Sequence, residues 1–174
     1  MLRAICFCVA LLLAGIASAL AYLGAFASVV VEEQSMGPYR FVYRGLEGAD
    51  PRQVGAITDQ VGTALRAAGI TRIRPFDLYY PPHAGNPNEI GWEVAEEHAA
   101  ALTTLDRSYL QRTLPAQPCL VARFRWKHPL SFVVGFFKVD RALKAYREAR
   151  GYQAAPAYTL NEGQTILYLQ PVVR

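Results

Sequence analysis

The sequence has few cysteines and no spacing that is typical of a metal site. Only three cysteines occur in 174 residues, and two of them, Cys6 and Cys8, lie inside an apolar N-terminal run. The remaining one, Cys119, has no partner for a disulfide within the rest of the chain, and no His/Cys spacing suits zinc. We therefore expect a fold held together by its hydrophobic core, without a disulfide framework, a metal or a cofactor.

Charge is also scarce, and no run of like charge occurs. Asp, Glu, Lys and Arg make up 18% of the chain, and the formal net charge is +4. The basic residues are scattered, so the sequence does not indicate a nucleic-acid partner. It also lacks a Gly-x-Ser-x-Gly elbow, a phosphate loop and a His-Glu-x-x-His motif. We predict no catalytic residues and expect a protein that binds rather than an enzyme.

The longest stretch without charge lies at the N-terminus. Residues 4–31 contain no charged side chain, and about 20 apolar residues in a helix are enough to cross a bilayer. We expect residues 1–27 to form a single-pass membrane anchor and residues 28–174 to form the soluble domain. The alternative is a cleaved secretory signal, although the apolar core of a signal usually has only about 7–15 residues.

The side of the membrane that carries the domain is left open by the basic residues. Arg3 precedes the apolar run and favours one orientation. Arg40 and Arg44 follow the apolar run closely enough to favour the opposite orientation. The sequence is therefore compatible with the domain on either side of the membrane.

The first half of the domain shows one strong helix between strands. Residues 39–44, 76–80 and 90–94 alternate apolar with polar side chains, which predicts strands. The Asp50-Pro51 pair is typical of a helix start, and Gly69 of a helix end. Between them, apolar residues at spacings of three and four form one stripe: Val54, Ile57, Val61, Leu65 and Ala68.

The second half repeats this order. Residues 120–127 alternate as a strand, Pro129 opens a helix over residues 130–150 with a possible break near Gly135, and residues 158–160 and 165–170 are predicted strands. We interpret residues 96–114 as a helix or an irregular linker between the halves. Two strand–helix–strand–strand units predict an α+β domain with an antiparallel sheet and helices on one face.

Several segments, taken in order, resemble one known family. They are Tyr39-Arg-Phe with Gly45-Leu, Leu78-Tyr-Tyr-Pro-Pro-His83, the stretch from Lys127 to Tyr146 with its Pro129-Leu-Ser131, and Ile166 to Pro171. Over roughly residues 28–172 the chain resembles the GyrI-like (gyrase-inhibitor-like, effector-binding) domains. It is most similar to their membrane-anchored branch, exemplified by the testis-expressed reticulophagy receptor of animals. The resemblance implies two tandem units of SHS2 type, related by a pseudo-twofold axis, with a small-molecule cleft between them.

The resemblance also suggests which residues line that cleft. In drug-responsive relatives, aromatic walls and a buried Glu receive lipophilic cations. The corresponding ligand-binding candidates here are Tyr43, Tyr80, Trp92, Trp126, Tyr158, Thr159 and Tyr168. Thr159 stands where relatives carry the Glu of a Pro-x-x-Glu-Ile-Tyr motif, so we expect a neutral or weakly polar ligand. The alternative for these aromatic residues is ordinary core packing beneath the helices.

Three functions of different classes follow. The first is a small-molecule-binding module held at a membrane, and an open aromatic cleft without an acid would favour it. The second is an interaction adaptor for an unidentified protein partner, which a filled cleft would favour. The third is a hydrolase of reactive small molecules, for which Glu93 or Glu162 would have to replace the missing Glu.

Overall fold

The computed structural model describes residues 2–46, 51–80 and 85–174. The first six elements are α1 (Leu2–Tyr22), β1 (Val31–Met36), β2 (Tyr39–Leu46), α2 (Pro51–Ala67), β3 (Ile73–Tyr79) and β4 (Asn88–Val94). A 3₁₀ helix (Glu96–Thr104) follows. The remaining elements are β5 (Leu110–Leu114), β6 (Gln117–Arg125), α3 (Pro129–Ala149), β7 (Ala157–Glu162) and β8 (Thr165–Pro171).

The eight strands form one antiparallel sheet whose order is symmetrical about its centre. That order is β1-β6-β8-β7-β3-β4-β2-β5. The unit β2-α2-β3-β4 occupies one half, the unit β6-α3-β7-β8 the other, and β3 pairs with β7 between them. This arrangement confirms the predicted α+β class and the two tandem strand–helix–strand–strand units, and it is consistent with the GyrI-like fold.

Helix α2 covers the sheet with its predicted stripe. Val61 and Leu65 are fully buried, and they form a core cluster with Val42 of β2 and Val94 of β4. The helix ends before Gly69, whose φ of +78° is the left-handed conformation that glycine adopts readily. The predicted cap, Asp50, lies outside the described residues.

Helix α3 differs from the prediction in one respect, because it is continuous through Gly135. The ring of Phe124 on β6 lies against Gly135 and occupies the space that a Cβ there would need. The glycine therefore allows close packing of helix on sheet and does not break the helix. At the N-terminus of α3, the His128 Nδ1 atom accepts a hydrogen bond of 3.2 Å from the Leu130 amide.

Two strands were not predicted, and both lie at the edges of the sheet. The stretch 96–114, interpreted as a helix or linker, contains a 3₁₀ helix and then β5, which pairs with β2. At the other edge, β1 directly follows the apolar N-terminal run and pairs with β6. Both are short and mostly solvent-exposed on one side, so they show little of the apolar alternation by which strands are recognised.

The sheet has two different faces. Both helices lie on the outer face, whereas the inner face of the curled half-barrel packs against itself. At Gly91 of β4 a Cβ would collide with the backbone carbonyl of Val42, so the tight approach of β2 to β4 requires glycine. Cys119 is buried in the inner core, where burial raises the pKa of its thiol to about 11.

Helix α1 packs neither into the inner core nor into the clusters between the sheet and the other two helices. Its residues 5–22 are long and apolar enough to cross a membrane, and none of that window is buried in the protein. A signal sequence near an N-terminus has the same two properties. The fold thus provides a helix capable of spanning a bilayer, followed by the half-barrel domain.

Leu65→Ala tests whether the α2 stripe holds the domain together. Deleting this fully buried side chain should lower the free energy of unfolding by about 2–5 kcal/mol, because lost burial and a residual cavity both contribute. The matched control is Leu110→Ala, whose side chain is 50% exposed on β5. Denaturant unfolding of both variants checks the difference, and equal stabilities would contradict the described packing.

Candidate functional site on the inner face of the half-barrel

The seven ligand-binding candidates do not lie on one wall. Strand alternation places three of them, Tyr43, Tyr80 and Tyr158, in or against the inner core. The other four lie on the helix-covered outer face: Trp92, Trp126, Thr159 and Tyr168. Side chains of neighbouring residues in a strand point to opposite faces, so Tyr158 and Thr159 are separated by the sheet itself.

The outer aromatic residues are engaged with the helices. Trp92 donates its indole N–H to the Thr58 carbonyl of α2 at 2.7 Å, and the Arg66 guanidinium lies 5.2 Å from the centre of its ring. Tyr168 and Trp126 pack in the cluster beneath α3. Their environment is that of a core between sheet and helix, which is the alternative interpretation of these aromatic side chains.

Thr159 faces a carboxylate across the central strand pair. It lies opposite Asp77 in the register of β3 and β7, with its Oγ1 atom 3.5 Å from Asp77 Oδ2. Asp77 is only 7% exposed, and burial raises its pKa to about 7. A Glu at position 159 would thus confront this acid on the outer face, away from the inner aromatic side chains.

The inner face carries a continuous aromatic layer. Phe41 lies 5.0 Å from both Tyr43 and Phe76, measured between ring centres, and Phe76 lies 5.9 Å from Tyr158. The layer crosses the boundary between the two units because β3 pairs with β7 there. Phe41 and Phe76 are not among the residues predicted from the sequence to bind a ligand. Both residues lie in segments that alternate apolar with polar side chains, which predicts that they are buried in a strand. The same pattern is found in any strand that contributes to a hydrophobic core, so it does not indicate a binding site.

One end of this layer is closed by three polar side chains from three strand segments. Tyr80, just after β3, donates its hydroxyl to Glu89 Oε1 of β4 at 2.8 Å. Arg112 of β5 donates to the Tyr80 hydroxyl oxygen at 2.8 Å and lies 2.8 Å from the same Glu89 oxygen. We call Tyr80, Glu89 and Arg112 the polar triad.

The polar triad combines burial with a balanced charge. Glu89 is 5% exposed, and burial raises its pKa, an effect that Tyr80 and Arg112 partly oppose. The Arg112 guanidinium also lies 5.6 Å from the centre of the Tyr43 ring, which favours a cation–π contact. Glu89 and Arg112 were not predicted as site residues. They are distant from each other in sequence, and residues 110–114 were not predicted as a strand.

The opposite end of the inner face is also charged, and a cleft of about 390 Å³ opens beside it. Arg74 binds both Glu93, at 2.9 Å, and Glu162, at 2.6 Å. The cleft is lined by residues 71–74, Glu93 and Ala95 and has no aromatic wall. The two acids named for a hydrolase are thus paired with one arginine.

The two symmetrical units and the curled antiparallel sheet define the fold of the protein. This architecture is consistent with the GyrI-like fold. No protein-family model and no curated protein matches this sequence.

The fold is similar to that of several solved structures, including the following three. A structure of an EcmrR–DNA complex aligns with a TM-score of 0.65 at 12% identity, covering 99% of this chain and 69% of that one. The EcmrR C-terminal domain aligns with a TM-score of 0.58 at 13% identity, covering 84% and 98%. An integron cassette protein of Vibrio cholerae, VCH_CASS2, aligns with a TM-score of 0.52 at 8% identity, covering 82% and 95%. Similarity at such low identity concerns the fold.

Asp77→Asn tests the buried carboxylate. Asp77 has a pKa of about 7 in the folded protein against 3.8 ordinarily. The folded state therefore retains a proton that the unfolded state releases. The stabilising contribution of the protonated Asp77 carboxyl group is fully present below pH 3.8 and is lost as the pH rises from about 4 to about 7. The free energy of unfolding of the wild type should fall by up to about 1.4 kcal/mol per pH unit between these two values and change little above them.

The measurement is chemical unfolding of the full chain in detergent at a series of pH values. Asp77→Asn should remove most of this slope and be relatively more stable at pH 8 than at pH 5. Asp59→Asn, which alters an exposed carboxylate on α2, is the control and should keep the slope. An unchanged slope in Asp77→Asn would contradict the assignment.

Proposed function

We propose that this protein is a membrane-anchored small-molecule-binding protein whose ligand is neutral or weakly polar. The observation that carries the proposal is the polar triad at the end of the inner aromatic layer. It combines a buried carboxylate, a guanidinium and a hydroxyl beside the rings of Tyr43 and Tyr158. The similarity of the fold to solved structures such as the EcmrR C-terminal domain supports a ligand-binding domain.

The aromatic layer suits a flat, largely apolar guest. Well-placed aromatic contacts contribute about 0.5–1.5 kcal/mol per pair beyond the burial of area. Tyr43 and Tyr158 are each less than a tenth exposed, whereas Arg112 is more open to solvent. We infer that a ligand enters when the Arg112 side chain moves away from the Tyr43 ring.

The balanced charge of the polar triad is the reason for proposing a neutral ligand. Arg112 neutralises Glu89 at 2.8 Å, so a cation entering the layer would have to compete with a guanidinium already in place. A neutral guest can instead accept a hydrogen bond from Arg112 or donate one to Glu89 without separating the pair. Breaking a buried ion pair leaves an uncompensated charge and is costly.

The ion pairs at the opposite end of the inner face lead us to propose binding without catalysis. Glu93 and Glu162, which a hydrolytic mechanism would draw on, are held by Arg74 at the far end of the face. The second candidate function is a membrane-bound adaptor for another protein. It is favoured by the close packing of the inner face, where Phe41 and Phe76 are fully buried.

Arg112→Ala tests the charge argument. Removing the guanidinium leaves Glu89 without its counterion, so a lipophilic cation such as rhodamine 6G should bind about tenfold more tightly, equivalent to about 1.4 kcal/mol. The neutral dye Nile red should bind the wild type in preference to the cation. Fluorescence titration of the full chain in detergent measures both affinities.

Two further variants separate a specific effect from a general one. Arg107→Ala removes an exposed arginine just before β5 and should behave as the wild type. Arg112→Ala combined with Glu89→Gln should lose the gain in cation affinity. Cation binding by the wild type as tight as that of the neutral dye would refute the proposed ligand class, and so would a gain that survives in the double variant.

We further propose that α1 remains attached and anchors the domain, as in the membrane-anchored branch of GyrI-like proteins. Support comes from the length of the apolar window over residues 5–22 and its complete exposure. Two arginines at its centre, in the double variant Leu12→Arg and Ile16→Arg, should each cost about 2.5–3.5 kcal/mol of insertion. After carbonate extraction of membranes, the wild type should remain in the membrane fraction, whereas the double variant should be released from it. A mature wild-type protein that starts near Leu20 or Ser28 and is recovered as soluble would refute the anchor.

A further inference from the structure

The first half of α3 exposes an apolar face that no strand or helix among the described residues covers. Its large side chains are between 38% and 67% exposed: Leu130, Phe132, Val133, Phe136 and Phe137. They lie within about two helical turns. The face opposite them, with Ser131, Gly135 and Val139, is buried against the sheet.

The composition of the exposed face changes sharply along the helix. After Lys138 its exposed residues are polar or small, including Asp140, Arg141, Lys144 and Glu148. An ordinary solvated helix would show this second pattern throughout. The second half of α3 is therefore suited to water, whereas its first half is suited to an apolar environment.

The apolar end of α3 lies beside the segment that follows α1. The Lys138 ammonium donates hydrogen bonds to the carbonyl oxygens of Gly24, Ala25 and Ala27. The Lys127 ammonium, just before α3, lies 5.6 Å from the centre of the Tyr22 ring at the end of α1. The segment itself continues the apolar surface, since Phe26 is 70% exposed.

Phe124 packs between the same two parts of the chain. Its ring lies against Gly135 of α3, and it lies 3.0 Å from the position that a Cβ on Gly24 would take. Residues 24–27 are therefore held on the domain by a packed ring as well as by hydrogen bonds. The apolar end of α3 and the C-terminal end of α1 belong to one surface.

The dimensions place this surface at a bilayer boundary. The 21 residues of α1 are about 32 Å long as a helix, close to the roughly 30 Å of a hydrocarbon core. Residues 24–27 then lie in the interfacial layer when α1 spans the bilayer, and α3 starts beside them. An interfacial helix typically buries its apolar face about 5–10 Å into that layer, with lysines towards the headgroups.

We propose that the first half of α3 is a membrane-docking surface, which inserts Leu130, Val133 and Phe137 into the same bilayer leaflet that α1 leaves. The occupant of this face is lipid. The exposed Lys127 lies where anionic headgroups would meet it, whereas Lys138 holds the segment after α1 against α3. Docking orients the half-barrel against the membrane, whereas α1 alone would act as a tether. This inference rests on the proposed anchor and adds a second contact to it.

The test uses full chain reconstituted in vesicles of phosphatidylcholine and phosphatidylglycerol, with Cys6 and Cys8 changed to Ser. Cys119 is buried and does not label. A single environment-sensitive fluorophore is attached to Val133→Cys or Phe137→Cys. Lys144→Cys, on the charged half of α3, is the matched control, and Leu12→Cys reports insertion of α1.

Lipids carrying a spin label in the acyl chain should quench the probe at positions 133 and 137 several-fold more strongly than at 144, and the emission there should shift to the blue. Quenching at position 12 with equal, weak quenching at 133, 137 and 144 would overturn docking and leave the anchor intact. No quenching at position 12 would mean that the anchor itself has failed. Probes at 133 and 137 shielded from aqueous iodide but not quenched by lipid would also overturn docking, because a second copy or another protein would then cover the face.

Discussion

The pairing of β3 with β7 is the constraint on which the rest of the structure depends. It is the one strand pair that joins the two units among the described residues, and its register decides which side chains share a face. Phe76 and Tyr158 fall on the inner face, whereas Asp77 and Thr159 fall on the outer face. A slip of one residue would turn every side chain of a strand over and would bring a carboxylate into the aromatic layer. The apolar character of the inner face therefore follows from this register.

The inner face is stable because its charges lie at its two ends. Arg74 with its acidic partners closes one end, and the polar triad closes the other. Between them the aromatic layer excludes polar groups, which would lack partners there. The arginines of both ion pairs remain partly exposed, so desolvating them costs less than it would in the middle of the layer, whereas Glu89 and Glu93 are largely buried. A ligand entering at the polar triad, as we propose, would meet a polar boundary first and the aromatic layer beyond it.

The two units share a topology but differ in what their helices face. The exposed side of α2 carries polar residues such as Gln53, Asp59 and Gln60, as expected for a helix in water. The exposed side of α3 is apolar for its first two turns, and it is α3 that lies beside the end of α1. A symmetrical fold therefore carries one helix with a polar exposed face and one helix with an apolar exposed face over its first two turns. The polarity of the exposed face of each helix thus differs between the two units, although the units have the same strand order.

The sequence by itself determined those features that depend on local periodicity. The stripe of α2, the strands that alternate in the middle of the sheet and the apolar length of α1 were all readable, because neighbouring residues suffice to reveal a helical or strand period. Only the tertiary structure decided the edge strands β1 and β5, since a strand with a weak pattern is stabilised by the partner it pairs with. It also decided which aromatic residues share a face and brought Glu89 to Arg112. Those contacts join residues far apart in the chain, and they arise from strand pairing and sheet curvature, which no local pattern encodes.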